Sequence, residues 1–485
     1  MKVYKKILAL LLCFVLVLSI LTACSSKGSD DTKEPAGEKE EVNDDSKLTV
    51  DTSDALTEVV SDVTATLKMY GPGLFAAVGE TGTTDMVTGM KRPGYEKLIE
   101  RWNQLYPNVT LEIEPIPWDN WKAAIQTAAL SGDYDILIHG NGNADYSLDL
   151  TPYIEGDSEV SESLTFYPYR RNPDNMSEVR PYGLSYALNP VVAVLDKQIL
   201  QDYGVPIPDA SWTLEDMTNI AEKTTGSNPA TGKQTYGISM VKASDAYKNY
   251  ILMGRAFDNV IFDLSPELAD SKVSFATEKT EKVFDFMKNL GRFSSPDYLE
   301  GLNLANAYTE DHDTAIIWAE EAYNIYNIIK SAGLEDRFMF LPLPQIEEGA
   351  HKGITSSNVG DLNICIYKES EQKDLAWTFL KFLVTDPVIQ QWLIDTNSIP
   401  SNVNSASLLN AVMPADYANA ISTIISTSPL GYNSSASLWY DSTWFGTFQS
   451  DIVTGFDQLL KGNETSMEVA EKIQGNIENY LSSLK

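Results

Sequence analysis

Polar and apolar residues alternate along residues 65–70 (ATLKMY), which predicts a strand, and a glycine-rich stretch follows from Gly71 to Gly82. Tyr95, Leu98, Ile99, Trp102 and Leu105 then fall at helical spacing, and Pro107 stops that helix. Val109, Leu111 and Ile113 alternate with polar residues and predict a second strand. Trp121, Ala124, Ile125, Ala128 and Ala129 predict a second helix ending at Gly132, and residues 135–138 form a short apolar strand. The order β-α-β-α-β predicts an α/β layer with a mainly parallel sheet. Further on, residues 187–195, 236–241, 314–318 and 338–341 read as strands. Thr213 caps a helix running to Thr224, with Asp216 three residues on. Residues 376–384 read as an apolar helix, and Met467, Ala470, Ile473, Ile477, Tyr480, Leu481 and Leu484 mark an amphipathic one at the C-terminus. No repeat of fixed period is visible.

The N-terminus carries a different pattern. Lys2, Lys5 and Lys6 precede an apolar run over residues 7–21, shorter than the ~20 residues that span a bilayer. With small residues at its exit it reads as a secretory signal. The exit Leu21-Thr22-Ala23-Cys24 resembles the bacterial lipobox, so residues 1–23 are expected to be removed and Cys24 to carry a lipid. Of the remaining cysteines, Cys13 leaves with the signal and Cys365 lies in a strand-like run as a buried small hydrophobe, which excludes an intramolecular disulfide or a cysteine-based metal site in the mature chain. Residues 24–62 are rich in Ser, Asp, Glu, Lys and Gly and hold too little apolar surface to offset their ordering entropy, so they read as an acidic disordered tether, of a length that suits a Gram-positive surface.

The remaining chain, roughly 420 residues, is too long for one core and predicts two lobes. The formal charge is −32, and removal of three lysines and no acid with the signal takes it to −35. Such acidity excludes nucleic acid as a partner, because phosphates require Lys and Arg, and it opposes wide contact with anionic lipid. Only three histidines are present, so a histidine-based metal site is not expected. Residues 71–82 contain no Lys-Ser/Thr and are no phosphate loop. Asp311-His312-Asp313 reads as a solvated turn.

In open sheets of this type ligands sit beyond the carboxyl ends of the strands. That rule places Tyr70, the glycine-rich loop, His139, Gly140 and Asn141 along one rim. Trp118 and Trp121 flank the start of a helix; Trp121 fits its core face, and Trp118 faces the rim.

Seven motifs, in order, carry a resemblance. They are YEKLIERWNQLYPNVTLEIEPI (95–116), AALSGDYDILI (128–138), LDLTPYI (148–154), YGLSYALNPVVAVLDKQILQDYGVPIPDASWTLEDM (182–217), DTAIIWAEEAY (313–323), LAWTFLKFLVTDPVIQQWLIDTNSIPSN (375–402) and LLKGNETSMEVAEKIQGNIENYL (459–481). The region 65–485 resembles the family 1 extracellular solute-binding proteins of ABC importers, which include the maltose-binding protein. It departs from their pattern at Tyr134 and Ser185, where proline is usual, and at Leu195-Asp196, where Tyr-Asn is usual.

The resemblance implies a periplasmic-binding-protein-like α/β fold. Residues 63–186 and 343–394 form one lobe, and 187–342 and 395–485 the other, with a ligand cleft between them. The crossings are expected near 185–188, 341–344 and 392–400. It implies hinge closure on a carbohydrate, most simply an oligosaccharide, and delivery to ABC permease subunits by a monomeric, lipid-anchored protein on the extracellular face of the membrane, with no cofactor or metal.

Sugars need aromatic platforms for their ring faces and paired polar groups for their hydroxyls. Beside Tyr70, Trp118, His139 and Asn141, the resemblance points to Asp245 and Tyr247 on a contact loop and to Trp318, Glu320 and Glu321 after a buried strand. It also points to Trp439 and Trp444 in a Ser/Gly-rich stretch, and to Tyr186, Asn189, Asn358 and Asp361 at the crossings. A surface glycoside hydrolase is the rival class. It needs two carboxyl groups about 5 Å or about 6.5–9.5 Å apart across the scissile bond, and adjacent residues such as Glu320 and Glu321 normally diverge, so an enzyme is not expected. A peptide, polyamine or metal-chelate binder, or a sensor partner of a membrane kinase, shares the fold expectation.

Overall fold

The computed structural model describes residues 58–485 apart from 86–87, 140–142, 165–166, 240–245, 260, 264, 266, 296–310, 320–321 and 428–444. Two sheets, each with its own hydrophobic core, organise the described chain.

The first sheet has six strands in the order Ile399–Pro400, Leu184–Pro190, Val359–Ile366, Ile136–Ile138, Ala65–Gly71, Val109–Pro115. The last three pair in parallel, as the β-α-β-α-β pattern requires. The other three pairings are antiparallel, so the sheet is mixed rather than mainly parallel. Alternation along Ala65–Gly71 buries Leu67 and Met69 and leaves Lys68 in water. Helix Glu96–Leu105 turns Leu98, Trp102 and Leu105 into the same core, and the Trp102 indole N–H donates to the Val109 carbonyl at 3.1 Å. Helix Trp121–Ser131 ends at Gly132, whose φ of 71° is the left-handed conformation of a helix stop. This helix covers the opposite face of the sheet, where Leu137 and the buried Cys365 form a small satellite core.

The second sheet has five strands in the order Gly226–Ser227, Gln234–Ser239, His312–Ala319, Val192–Asp196, Phe338–Pro342. Its core gathers Val194, Ile238, Ile316, Phe338 and Phe340 with the helices at 278–291, 415–427 and 466–483. Thr213 and Asp216 form the capping box that their spacing predicts, and Thr465 and Glu468 form another on the C-terminal helix.

Two further readings are corrected. Residues 187–195 are not one strand. Leu184–Pro190 belongs to the first sheet and Val192–Asp196 to the second, with the chain changing sheets at Val191. A continuous apolar run looks the same whether it lies in one sheet or crosses between two. The 311–313 segment is no solvated turn: His312 opens a strand, is 6% exposed and meets the Tyr236 ring edge-on at 5.2 Å, while Asp313 pairs with Lys233 at 2.7 Å. The pairing with Gln234–Ser239 draws these polar residues into the sheet.

One device recurs in both cores. Asp196 caps helix Lys197–Asp202 and accepts from Arg337 Nε and Nη2 at 2.8 and 2.6 Å. Asp386 caps helix Pro387–Asp395 and accepts from Arg101 Nε and Nη2 at 3.0 and 2.9 Å. A buried carboxylate thereby satisfies helix N–H groups and a guanidinium at once.

Candidate ligand site at the rim of the first sheet

The parallel strands of the first sheet end together, and the chain turns sharply there. Gly71 has φ +146°, and a Cβ on it would lie 2.0 Å from the Ile138 carbonyl oxygen. One strand over, His139 leaves Ile136–Ile138 with φ +53°, uncommon for a side-chain-bearing residue, and its N–H donates to the Asn363 carbonyl at 2.6 Å. That turn lifts the imidazole above the sheet, on the side of the satellite core.

Three rings meet there. Trp118 and Trp121 each approach His139 edge to face with centroids 4.9 Å apart, and they meet each other at 5.8 Å and 90°. Trp118 is 46% exposed and presents a broad apolar surface to solvent. The Lys122 ammonium lies 5.7 Å from the centre of the Trp121 ring. His139 is half-buried overall, but its Nδ1 is shut off from water and has no partner among the described residues. Burial, helped by the charges of Arg170 and Lys122 and opposed by Asp361, pushes the imidazole down to about 4, so the ring is neutral at ordinary pH. Asp361 is half-buried and accepts from the Ser185 hydroxyl at 2.7 Å. Aromatic faces, a neutral imidazole, a carboxylate and nearby cations thus share one rim.

The other candidates are distributed around this cluster. Tyr70 packs against Tyr134 with the rings tilted by 37° and their centroids 4.8 Å apart, beside the satellite core. The Tyr134 hydroxyl donates to Glu114 at 2.7 Å, and that bond, with burial, pushes the phenol up to about 12. Tyr186 is fully buried in the first core, with its hydroxyl against Gly73, and burial raises its phenol well above the ordinary value. Asn189 is half-buried opposite Gly360. The Asn358 side-chain oxygen accepts from the buried Arg255 at 3.1 Å. Trp318 sits opposite Ala193, 5% exposed, and its indole N–H meets no acceptor among the described residues. Tyr247 is half-buried near the start of helix Ala246–Ala256. Asn141, Asp245, Glu320, Glu321, Trp439, Trp444 and the lipidation candidate Cys24 lie outside the described residues.

Trp121 packs on the satellite core, as its helical phase predicts, and from the first turn of its helix it also meets His139 at the rim, a contact that periodicity does not reveal. Its position next to the end of a strand-to-helix loop was the signal available. Among the described residues no group of three or more His, Cys, Asp or Glu is placed to hold a metal ion, and no helix is long and apolar enough to cross a membrane.

Residues 90–389 match the family described as bacterial extracellular solute-binding protein, and the chain belongs to that family. No curated protein matches the chain. Solved structures share its fold. The sugar-binding protein MalE of Xanthomonas citri is 14% identical with a TM-score of 0.66, the match covering 86% of this chain and 98% of that one. The ABC substrate-binding protein Lmo0181 of Listeria monocytogenes, solved in complex with cycloalternan, is 16% identical with a TM-score of 0.60, covering 86% and 99%. An ABC transporter solute-binding protein of Agrobacterium radiobacter K84, in complex with ribitol, is 16% identical with a TM-score of 0.61, covering 87% and 99%. The fold is therefore the two-sheet α/β architecture of extracellular solute-binding proteins of ABC transporters.

Proposed function

We propose that this protein captures a carbohydrate, an oligosaccharide, between two lobes and delivers it to an ABC permease. The observation that carries the reading is the Trp118–Trp121–His139 cluster. It offers apolar ring faces at the carboxyl ends of the strands, with Asp361 beside it to accept from hydroxyls. Structural relatives solved with cycloalternan and with ribitol add weight to a polyhydroxylated solute. The lobes are residues 63–186 with 343–394, and 187–342 with 395–485. Solute contacts to both lobes favour the closed arrangement, which the permease reads. A signal over residues 1–23 and a lipid on Cys24 hold the monomer at the extracellular face of the membrane, and capture involves no catalytic step.

The test is a thermal-shift screen of the mature chain against mono- and oligosaccharides, polyols, peptides and polyamines. A solute at a hundredfold excess over its Kd stabilises the folded state by about 2.7 kcal/mol, a readable rise in Tm. An oligosaccharide shift supports the reading. A shift with a peptide or polyamine alone overturns the carbohydrate assignment.

A further inference from the structure

A short hairpin, Thr83–Thr84 paired with Lys91–Arg92, leaves the first half of the chain between strand Ala65–Gly71 and helix Glu96–Leu105. Its turn is organised by Asp85. One carboxylate oxygen accepts from the Thr88 N–H at 2.8 Å and the Thr88 hydroxyl at 3.0 Å, and the other pairs with the Arg92 guanidinium. Asp85 therefore aims Arg92 as well as closing the turn.

The same guanidinium reaches out of its own core. Nη2 donates to the Asn324 side-chain oxygen at 3.5 Å. Asn324 stands on helix Ala322–Ser331, which buries Ala322, Tyr323, Tyr326 and Ile329 in the second core. With its amide oxygen turned toward the arginine, Asn397 accepts from Nε and Nη2 at 3.1 Å each, and its amide nitrogen lies 3.1 Å from the side chain of Asn327 on that same helix. Asn397 has φ +66° and sits where the chain changes cores, since Trp392 and Leu393 belong to the first and Ile394 and Ile399 to the second.

We propose that Arg92 is the pin of an interlobe clasp, joining the hairpin of the first lobe to helix Ala322–Ser331 of the second through Asn324 and to the passage between them through Asn397. The clasp sets the angle of the lobes before any solute arrives, and it stands whatever the solute is. Guanidinium geometry suits the role, because its planar fork serves a carboxylate on one side and amide oxygens on the other. The lobes cannot swing apart without breaking the bond to Asn324, whereas the Asp85 pair stays intact within its hairpin.

Small-angle X-ray scattering of the solute-free mature chain tests this. Arg92→Ala removes the pin, and Asn324→Ala removes the opposite catch while leaving the hairpin whole. Both variants are expected to keep a cooperative melt and to give a larger radius of gyration than the wild type. Unchanged radii in both overturn the clasp. Expansion in Arg92→Ala alone also overturns it, because the loosening then belongs to the hairpin and not to the junction of the lobes.

Discussion

Trp121 and His139 stand edge to face at 4.9 Å, one on the first turn of a helix and the other on a strained turn after a strand. Each fixes the other. The helix cannot carry Trp121 away from the rim without uncovering the imidazole, and Trp118, also 4.9 Å from the imidazole, packs beside Trp121 against the same ring.

That arrangement separates binding from folding at neighbouring residues. Trp118 is 46% exposed, so Trp118→Ala is expected to leave the melting temperature nearly unchanged. Loss of an aromatic platform should weaken solute binding about tenfold, equivalent to about 1.4 kcal/mol. Trp121→Ala should weaken binding to a similar extent and lower the melting temperature too, because Trp121 also packs on the satellite core. Titration calorimetry with the best solute of the screen decides. Full affinity in both variants would remove the cluster from the site. Trp444→Ala is the parallel test for the stretch read from sequence alone, with binding weakened and folding intact.

His139 gives a pH dependence with a definite sign. Its folded value is about 4, below the ~6.5 of an unfolded chain. Above the unfolded value neither state binds the proton and stability is unaffected. As pH falls from about 6.5 toward about 4, the unfolded chain takes up a proton that the folded chain refuses, and stability is lost. The urea midpoint should therefore drop between pH 7 and pH 5, and less so in His139→Gln. Equal drops in both would assign the dependence elsewhere.

Arg337→Ala addresses folding alone. Asp196 is fully buried, and burial outweighs its pairing with Arg337, so its carboxyl lies above the usual value. Removing the guanidinium leaves a buried carboxylate with only helix N–H groups, at a cost of about 3 kcal/mol. Thermal denaturation should show a drop of several degrees, with solute affinity retained in the folded fraction. A melt like that of the wild type would mean that the capping bonds suffice.

Gly71→Ala should be more damaging than any substitution around it. A methyl group would lie 2.0 Å from the Ile138 carbonyl oxygen, on a backbone with φ +146°. Strand separation at the rim and backbone strain together cost about 3 kcal/mol or more. Circular dichroism melts would show it. Near-normal stability would mean that the rim accommodates the methyl group by moving.

Where side-chain periodicity is strict, local order determines the element. The strand with Leu67 and Met69, the helix with Leu98 and Trp102, and the capping box of Thr213 and Asp216 each follow from residues within one or two turns of one another. The order of these elements also implied an α/β layer, and the seven motifs implied the family. What local order does not encode is partnership. Nothing along residues 187–195 distinguishes one strand from two in different sheets, because both are buried and apolar. Nothing in Asp311-His312-Asp313 reveals that a parallel neighbour draws its histidine inside. The phase of Trp121 on its helix was right, but the meaning of that phase depended on where His139 emerges, and its positive φ is imposed by packing between strands. The site is therefore legible in sequence as a rim, from strand order alone. Which rings touch, which carboxylate is held by Ser185 and which arginine bridges the two cores were decided by tertiary structure, since each depends on residues brought together from distant parts of the chain.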